Sequence, residues 1–190
     1  MTSFKRSGIA IFYEKTGEIV VTECRLEANS NKSFEQIYRD VRTQTDNIMR
    51  KINDALISGF AVSPILLRDD QDITVFSECP PPQGNFAPGL YALDVSIFTA
   101  MAREDMTVYR LYPTYVGHVH GKRKYNKSES IEVAREILSK YKHRIITKRF
   151  SHDEAEAVIF LARNMAHHDV LDESLIKKYP GLGSSKEEIL

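Results

Sequence analysis

Apolar and polar positions recur along the chain with two periods, and those periods divide it into elements. Ser7 to Tyr13 (SGIAIFY) and Glu18 to Arg25 (EIVVTECR) are apolar, β-branched runs, and Lys15-Thr16-Gly17 between them has turn chemistry, so the two predict a hairpin. Ser33 to Ile57 places Phe34, Ile37, Val41, Ile48, Ile52 and Leu56 at steps of three, four or seven, which is helical spacing. Asn31 to Ser33 offers cap residues for that helix, and Ser58-Gly59 supplies its stop. Ile73 to Phe76 (ITVF) predicts a short buried strand that ends at Glu78, and a Pro- and Gly-rich loop follows over Cys79 to Gly89. Leu90 to Ala102 is apolar nearly all round and predicts a buried helix. Thr107 to Tyr112 (TVYRLY) predicts a strand closed by Pro113, and Tyr115 to Asn126 a polar, basic loop. Lys127 to Tyr141 is amphipathic, with Ile131, Ala134, Ile137 and Leu138 on its inner face. A last helix runs from Ser151 to about His167, with Ser151 and Glu154 spaced as a capping box. From Asp169 the pattern is polar and loses its period, as a tail would.

Two hairpin strands, then helix, strand, helix, strand, helix, helix predict an α/β layered fold around a mixed sheet. No linker divides the chain, so a single domain is expected over residues 1–168, with a polar tail at 169–190. A chain of 190 residues, 42% hydrophobic and 27% charged, suits one soluble domain with a sizeable core. No stretch is long and apolar enough to span a bilayer, and the N-terminus does not read as a signal peptide. Cys24 and Cys79 lie far apart and fit no metal-ligand spacing, which predicts reduced thiols in a cytoplasmic protein.

The formal net charge is zero, so bulk charge alone would not hold this chain on nucleic acid. The distribution is uneven. Arg110, Lys122, Arg123, Lys124, Lys127, Arg135, Lys140, Lys142, Arg144, Lys148 and Arg149 face only Glu129, Glu132 and Glu136 in the same stretch. That stretch reads either as solvated surface or as a phosphate-binding face.

Three acids stand where chemistry is often found. Glu78 closes a short apolar strand, and ligands of open α/β sheets bind beyond the carboxyl ends of strands. A strand-end acid paired with a nearby base fits equally well. Asp153 and Glu156 are three apart at the start of a helix and so share a face. The helix dipole accounts for acids in a first turn. It accounts less well for Glu156, which is flanked by Ala155 and Ala157 with an apolar run beyond. Carboxylates that converge in a partly buried place are tolerated when a hard cation neutralises them, and oxygen donors select Mg²⁺ or Mn²⁺. Lys127 opens a helix, where the dipole disfavours it, so it marks either a phosphate contact or plain solvent exposure. His118 and His120 lack a third ligand for zinc, whereas His152 stands next to Asp153 and is the better candidate for a place near a metal.

These pieces, in this order, resemble the RuvC-type Holliday-junction resolvases of the RNase H-like superfamily. In that family a Glu ends a central strand, a lysine follows a Gly-rich loop, and an Asp-x-x-Asp pair opens the last helix before an Ala-rich run. Here Ile73 to Glu78 (ITVFSE) matches the first of these, Gly121 to Val133 (GKRKYNKSESIEV) the second, and Ser151 to Ala162 (SHDEAEAVIFLA) the third, with Glu156 in place of the second Asp. Val108 to Pro113 (VYRLYP) matches the strand between. The resemblance covers residues 1–168. It implies an RNase H-like mixed sheet with helices on both faces.

The resemblance further implies a structure-selective endonuclease that cuts four-way or other branched DNA with Mg²⁺ or Mn²⁺, two ions per site. Glu78, Asp153 and Glu156 would hold the metals, and Lys127 would contact the scissile phosphate. Lys122, Arg123, Lys124, Tyr125 and Phe86 would touch DNA, Phe86 alternatively packing on the core. A junction has two equivalent strands, so a homodimer is expected, with Leu90 to Ala102 as its contact. The chain departs from the family at one acid. Counting back from Gly8 places the family's first acid at Met1, and a thioether is a poor ligand for Mg²⁺. The strand that would precede it is absent too, which predicts a start upstream of Met1 and a chain less stable than its longer parent. The alternatives are a branched-DNA-binding protein without nuclease activity and an RNase H-like nuclease for RNA–DNA hybrids.

Overall fold

The computed structural model describes residues 6–25, 33–59, 74–78, 88–103, 107–111 and 126–183. In chain order the elements are β1 (Arg6–Tyr13), β2 (Glu18–Arg25), α1 (Phe34–Gly59), β3 (Thr74–Glu78), α2 (Pro88–Arg103) and β4 (Thr107–Leu111). They continue with α3 (Lys127–Ser139), β5 (Lys142–Ile145), α4 (His152–His167) and α5 (Glu173–Lys178), then a 3-10 turn at Pro180–Leu182.

The hairpin forms as its sequence predicts. β1 and β2 pair antiparallel from Arg6 opposite Arg25 to Tyr13 opposite Glu18. The turn closes with the Gly17 amide donating to the Tyr13 carbonyl at 2.8 Å, and Gly17 adopts φ +64°, a region costly for residues with a Cβ. β5 adds to β2 in parallel, giving a three-stranded mixed sheet in the order β1-β2-β5. β3 and β4 form a second, parallel pair in register from Thr74 opposite Thr107 to Glu78 opposite Leu111. The molecule is thus a mixed α/β protein.

Strand alternation decides which helices cover which face. Ala10 and Phe12 of β1, with Ile19 and Val21 of β2, pack against Val133 and Ile137 of α3 and Ala155, Val158 and Ile159 of α4. The opposite face offers Ile9, Ile11 and Cys24 to Val41, Ile48 and Ile52 of α1 and to Leu93, Ile97 and Met101 of α2. The three-stranded sheet is therefore sandwiched between two helical layers.

Three expectations need correction. β5 was not legible: KHRI has no apolar alternation, and only the open edge of β2 makes a strand of it. α2 is not buried all round. Leu93, Ile97 and Met101 face the core, while Tyr91, Val95 and Phe98 are 42%, 58% and 41% exposed. A helix in the outer layer has only one side to bury, whatever its composition. Finally, residues 169–183 are no tail. Leu171, Leu175 and Leu182 are buried in the same core as α3 and α4. Their spacing is irregular and acidic and basic residues separate them, which hides the segment from a periodicity search. Polar contacts fix it in place: Lys178 Nζ lies 2.6 and 2.7 Å from the two Glu136 carboxylate oxygens, and the Tyr179 hydroxyl donates to Glu136 at 2.5 Å. Those donors, Lys178 first, hold the Glu136 carboxyl below its ordinary range. The Asp172 amide donates to the Tyr141 hydroxyl at 2.8 Å, and the Tyr141 ring meets Phe12 edge-on with centroids 5.9 Å apart. Among the described residues no helix is long and apolar enough to cross a membrane.

Because Leu175 is 1% exposed, Leu175→Ala is expected to cost about 2–5 kcal/mol, as buried leucine truncations do. Urea unfolding checks this; an unchanged midpoint would mean that the segment after Asp169 is a tail after all.

Candidate functional site

The site is built on the first turn of α4, and that turn is held from several sides. Ser151 is its N-cap: the Ser151 hydroxyl accepts from the Glu154 amide at 3.2 Å, and Glu154 accepts from the Ser151 amide at 2.7 Å. This is the capping box that the sequence predicts. Thr147 adds a donor to Glu154 at 2.5 Å, so each oxygen of this fully buried carboxylate accepts one hydrogen bond at the helix start. The Ser151 hydroxyl in turn donates to Glu23 of β2 at 2.8 Å, and Arg25 pairs with the same Glu23. One hydroxyl therefore ties the helix cap to the sheet.

Gly8 sets how closely the sheet and the helix approach. It lies opposite Glu23 in the hairpin, and a Cβ placed on it would sit 1.9 Å from the Asp153 carbonyl oxygen and 2.4 Å from its carbon. The atoms in the way are backbone, so they cannot swing aside. Only glycine lets β1 run directly under the helix start.

This support aims a group of side chains at one place. His152, Asp153 and Glu156 each offer one ligand atom, and those atoms lie within 4.8 Å of one another. His152 Nε2 is 3.2 Å from Glu156 Oε1. Glu156 is 7% exposed, and His152 and Asp153 are half-buried. Burial lowers the His152 pKa; the Asp153 charge opposes that and the Lys127 charge reinforces it. Lys127 is thus close enough to the cluster for its charge to be felt there, at the exposed start of α3.

The acids in this turn divide by role. Glu154 is consumed by the capping box, whereas the Asp153 carboxylate makes no hydrogen bond among the described residues. Two carboxylates and an imidazole on one helix face are a donor set for a divalent cation. His167 stands at the far end of α4, and Cys24 is buried on the other face of the sheet, where desolvation pushes its thiol up to about 11. Neither belongs to the cluster.

Of the residues singled out in the sequence, Asp153 and Glu156 are brought together, and the charge of Lys127 is felt at His152 beside them. Glu78 ends β3 as expected, but its side chain lies outside the described residues. Phe86, Lys122, Arg123, Lys124 and Tyr125, together with His118 and His120, also lie outside them. Two residues carry more than the sequence suggested. His152 meets Glu156 because they are four apart on one helix, a spacing visible in the sequence. Glu23 had a weaker signal: it takes the same inward alternation as the apolar Ile19 and Val21 of β2.

Protein-family models, curated proteins and solved structures yield no match to this chain.

Two substitutions probe the support. Gly8→Ala is expected to lower stability by at least about 1–3 kcal/mol, the range of core overpacking. A melting temperature equal to the parent's would show that the strand and helix do not meet so closely. Ser151→Ala should cost about 0.5–2 kcal/mol, the range of lost N-caps. The hydroxyl's second bond to Glu23 places the value toward the upper end. Chemical denaturation measures it, and a loss below that range would remove Ser151 from the tie.

Proposed function

We propose that this chain is a metal-dependent nuclease of the RNase H-like class that acts on four-way or branched DNA. One observation carries the proposal: Asp153 and Glu156 converge with His152 on a rigidly capped helix start, laid against the sheet at Gly8. The donor set fits a divalent ion, with oxygen atoms from two side chains and a nitrogen from a third. Such an ion, when bound, supplies an activated water and offsets the charge that builds on a scissile phosphate.

The chain's own residues supply the rest. Asp153 and Glu156 hold the metal, with Glu78 as the further acid that the family pattern implies. Lys127, at the exposed start of α3, carries a positive charge toward the same place and contacts the phosphate. Exposed Lys148 and Arg149, just before the Ser151 cap, give contacts to the sugar-phosphate backbone that position a duplex without reading its sequence.

The arrangement of strands supports the class. The described strands form a three-stranded mixed sheet, β1-β2-β5, and a parallel pair, β3-β4, with helices on both faces of the first, an α/β arrangement compatible with that class. A four-way junction has two equivalent scissile strands, so the active form is a homodimer, and the outward stripe of α2 is the surface assigned to that contact.

A second reading has one observation in its favour. Met1 stands where the family places its first acid, and a thioether does not replace a carboxylate on a hard cation. In that reading the fold binds branched DNA without cutting it.

The test is a labelled four-way junction offered with Mg²⁺ or Mn²⁺ to this chain, to Met1→Asp, and to Asp153→Asn and Glu156→Gln made in whichever of the two cuts. Paired symmetric nicks that the Asn and Gln variants lose, while still binding the junction, support the nuclease. Binding without nicks by both this chain and Met1→Asp gives the second reading its place. Cleavage that survives Asp153→Asn removes the cluster from the mechanism, and preference for an RNA–DNA hybrid of equal length moves the substrate to hybrids.

A further inference from the structure

We infer that His152 is a ligand of the proposed metal centre and makes that centre select a first-row transition ion, such as Mn²⁺, over Mg²⁺. The inference rests on the metal-dependent reading above and concerns which ion the site takes. A site of carboxylates alone would suit Mg²⁺, which prefers oxygen donors and keeps most of its water. An imidazole nitrogen changes the balance, because it is a borderline donor suited to transition ions.

The geometry places that nitrogen inside the donor set. His152 Nε2 lies 3.2 Å from Glu156 Oε1, and it belongs to the trio whose ligand atoms fall within 4.8 Å of one another. The ring is therefore turned toward the carboxylates. His152, Asp153 and Glu156 occupy the first turns of a single helix, so all three donors approach from one side. The helix start is pinned by the capping box, by Thr147 and by the close approach at Gly8, so the donors are set by the fold. The His152 side chain is 21% exposed and that of Glu156 9%, so much of the water that a metal must displace is already gone.

The experiment uses the chain without nucleic acid, and its readout is direct binding. Mn²⁺ is titrated by electron paramagnetic resonance, Mg²⁺ is added as competitor, and the bound Mn²⁺ is examined for coupling to a ¹⁴N nucleus by electron spin-echo modulation. The expected result is ¹⁴N coupling in the parent chain and Mn²⁺ bound at least about tenfold more tightly than Mg²⁺, a scale that even an outer-shell partner of a metal ligand can carry. In His152→Ala and His152→Gln, both coupling and preference should be lost. Bound Mn²⁺ without ¹⁴N coupling, or coupling that persists in both variants, overturns the role of His152 and leaves the metal-dependent reading standing. Failure of the parent chain to bind either ion overturns both.

Discussion

The contact between Gly8 and the Asp153 backbone is the constraint on which the rest of the site depends. A β-strand and the N-terminus of a helix normally keep the distance that side chains impose. Here the missing Cβ removes that spacer, and the helix start settles directly on the hairpin. The same approach brings Glu23, opposite Gly8 in the hairpin, within reach of the Ser151 cap. Strand register, helix cap and the direction of the Asp153 and Glu156 side chains are thereby coupled. A one-residue slip of β1 against β2 would turn every side chain to the other face and place a Cβ under the helix.

Four carboxylates lie around this one helix start, and their partners separate them into two kinds. Glu23 and Glu154 are tied to hydroxyls, an amide and an arginine, and their charge is absorbed by the architecture. Asp153 and Glu156 stand beside an imidazole, with the three ligand atoms within 4.8 Å of one another. The structural pair holds the first turn in one geometry, and the other pair inherits it.

The two faces of the three-stranded sheet have different tasks. The α3–α4 face carries the larger core, extended by α5 and the leucines after Asp169, and it carries the cluster. The α1–α2 face has its own apolar core but presents a partly apolar stripe outward at Tyr91, Val95 and Phe98.

Local chemistry carried a large part of this in the sequence. The hairpin from residue 6 to 25, the amphipathic α1 and α3, and the capped α4 were legible because each obeys a short-range rule of period, turn or cap that needs no distant partner. Asp153 and Glu156 were legible as a pair for the same reason, since three residues on a helix is a fixed distance. What only the tertiary structure decided involves partners far apart in the chain. β5 is a strand because β2 has an edge to fill, the segment after Asp169 is core because α3 and α4 leave a groove for three leucines, and α2 shows an apolar side because it lies in the outer layer. Gly8 looked like one more residue in a strand. Its meaning, and that of Glu23, arises from a helix more than a hundred residues later, and short-range periodicity contains no term for such a contact.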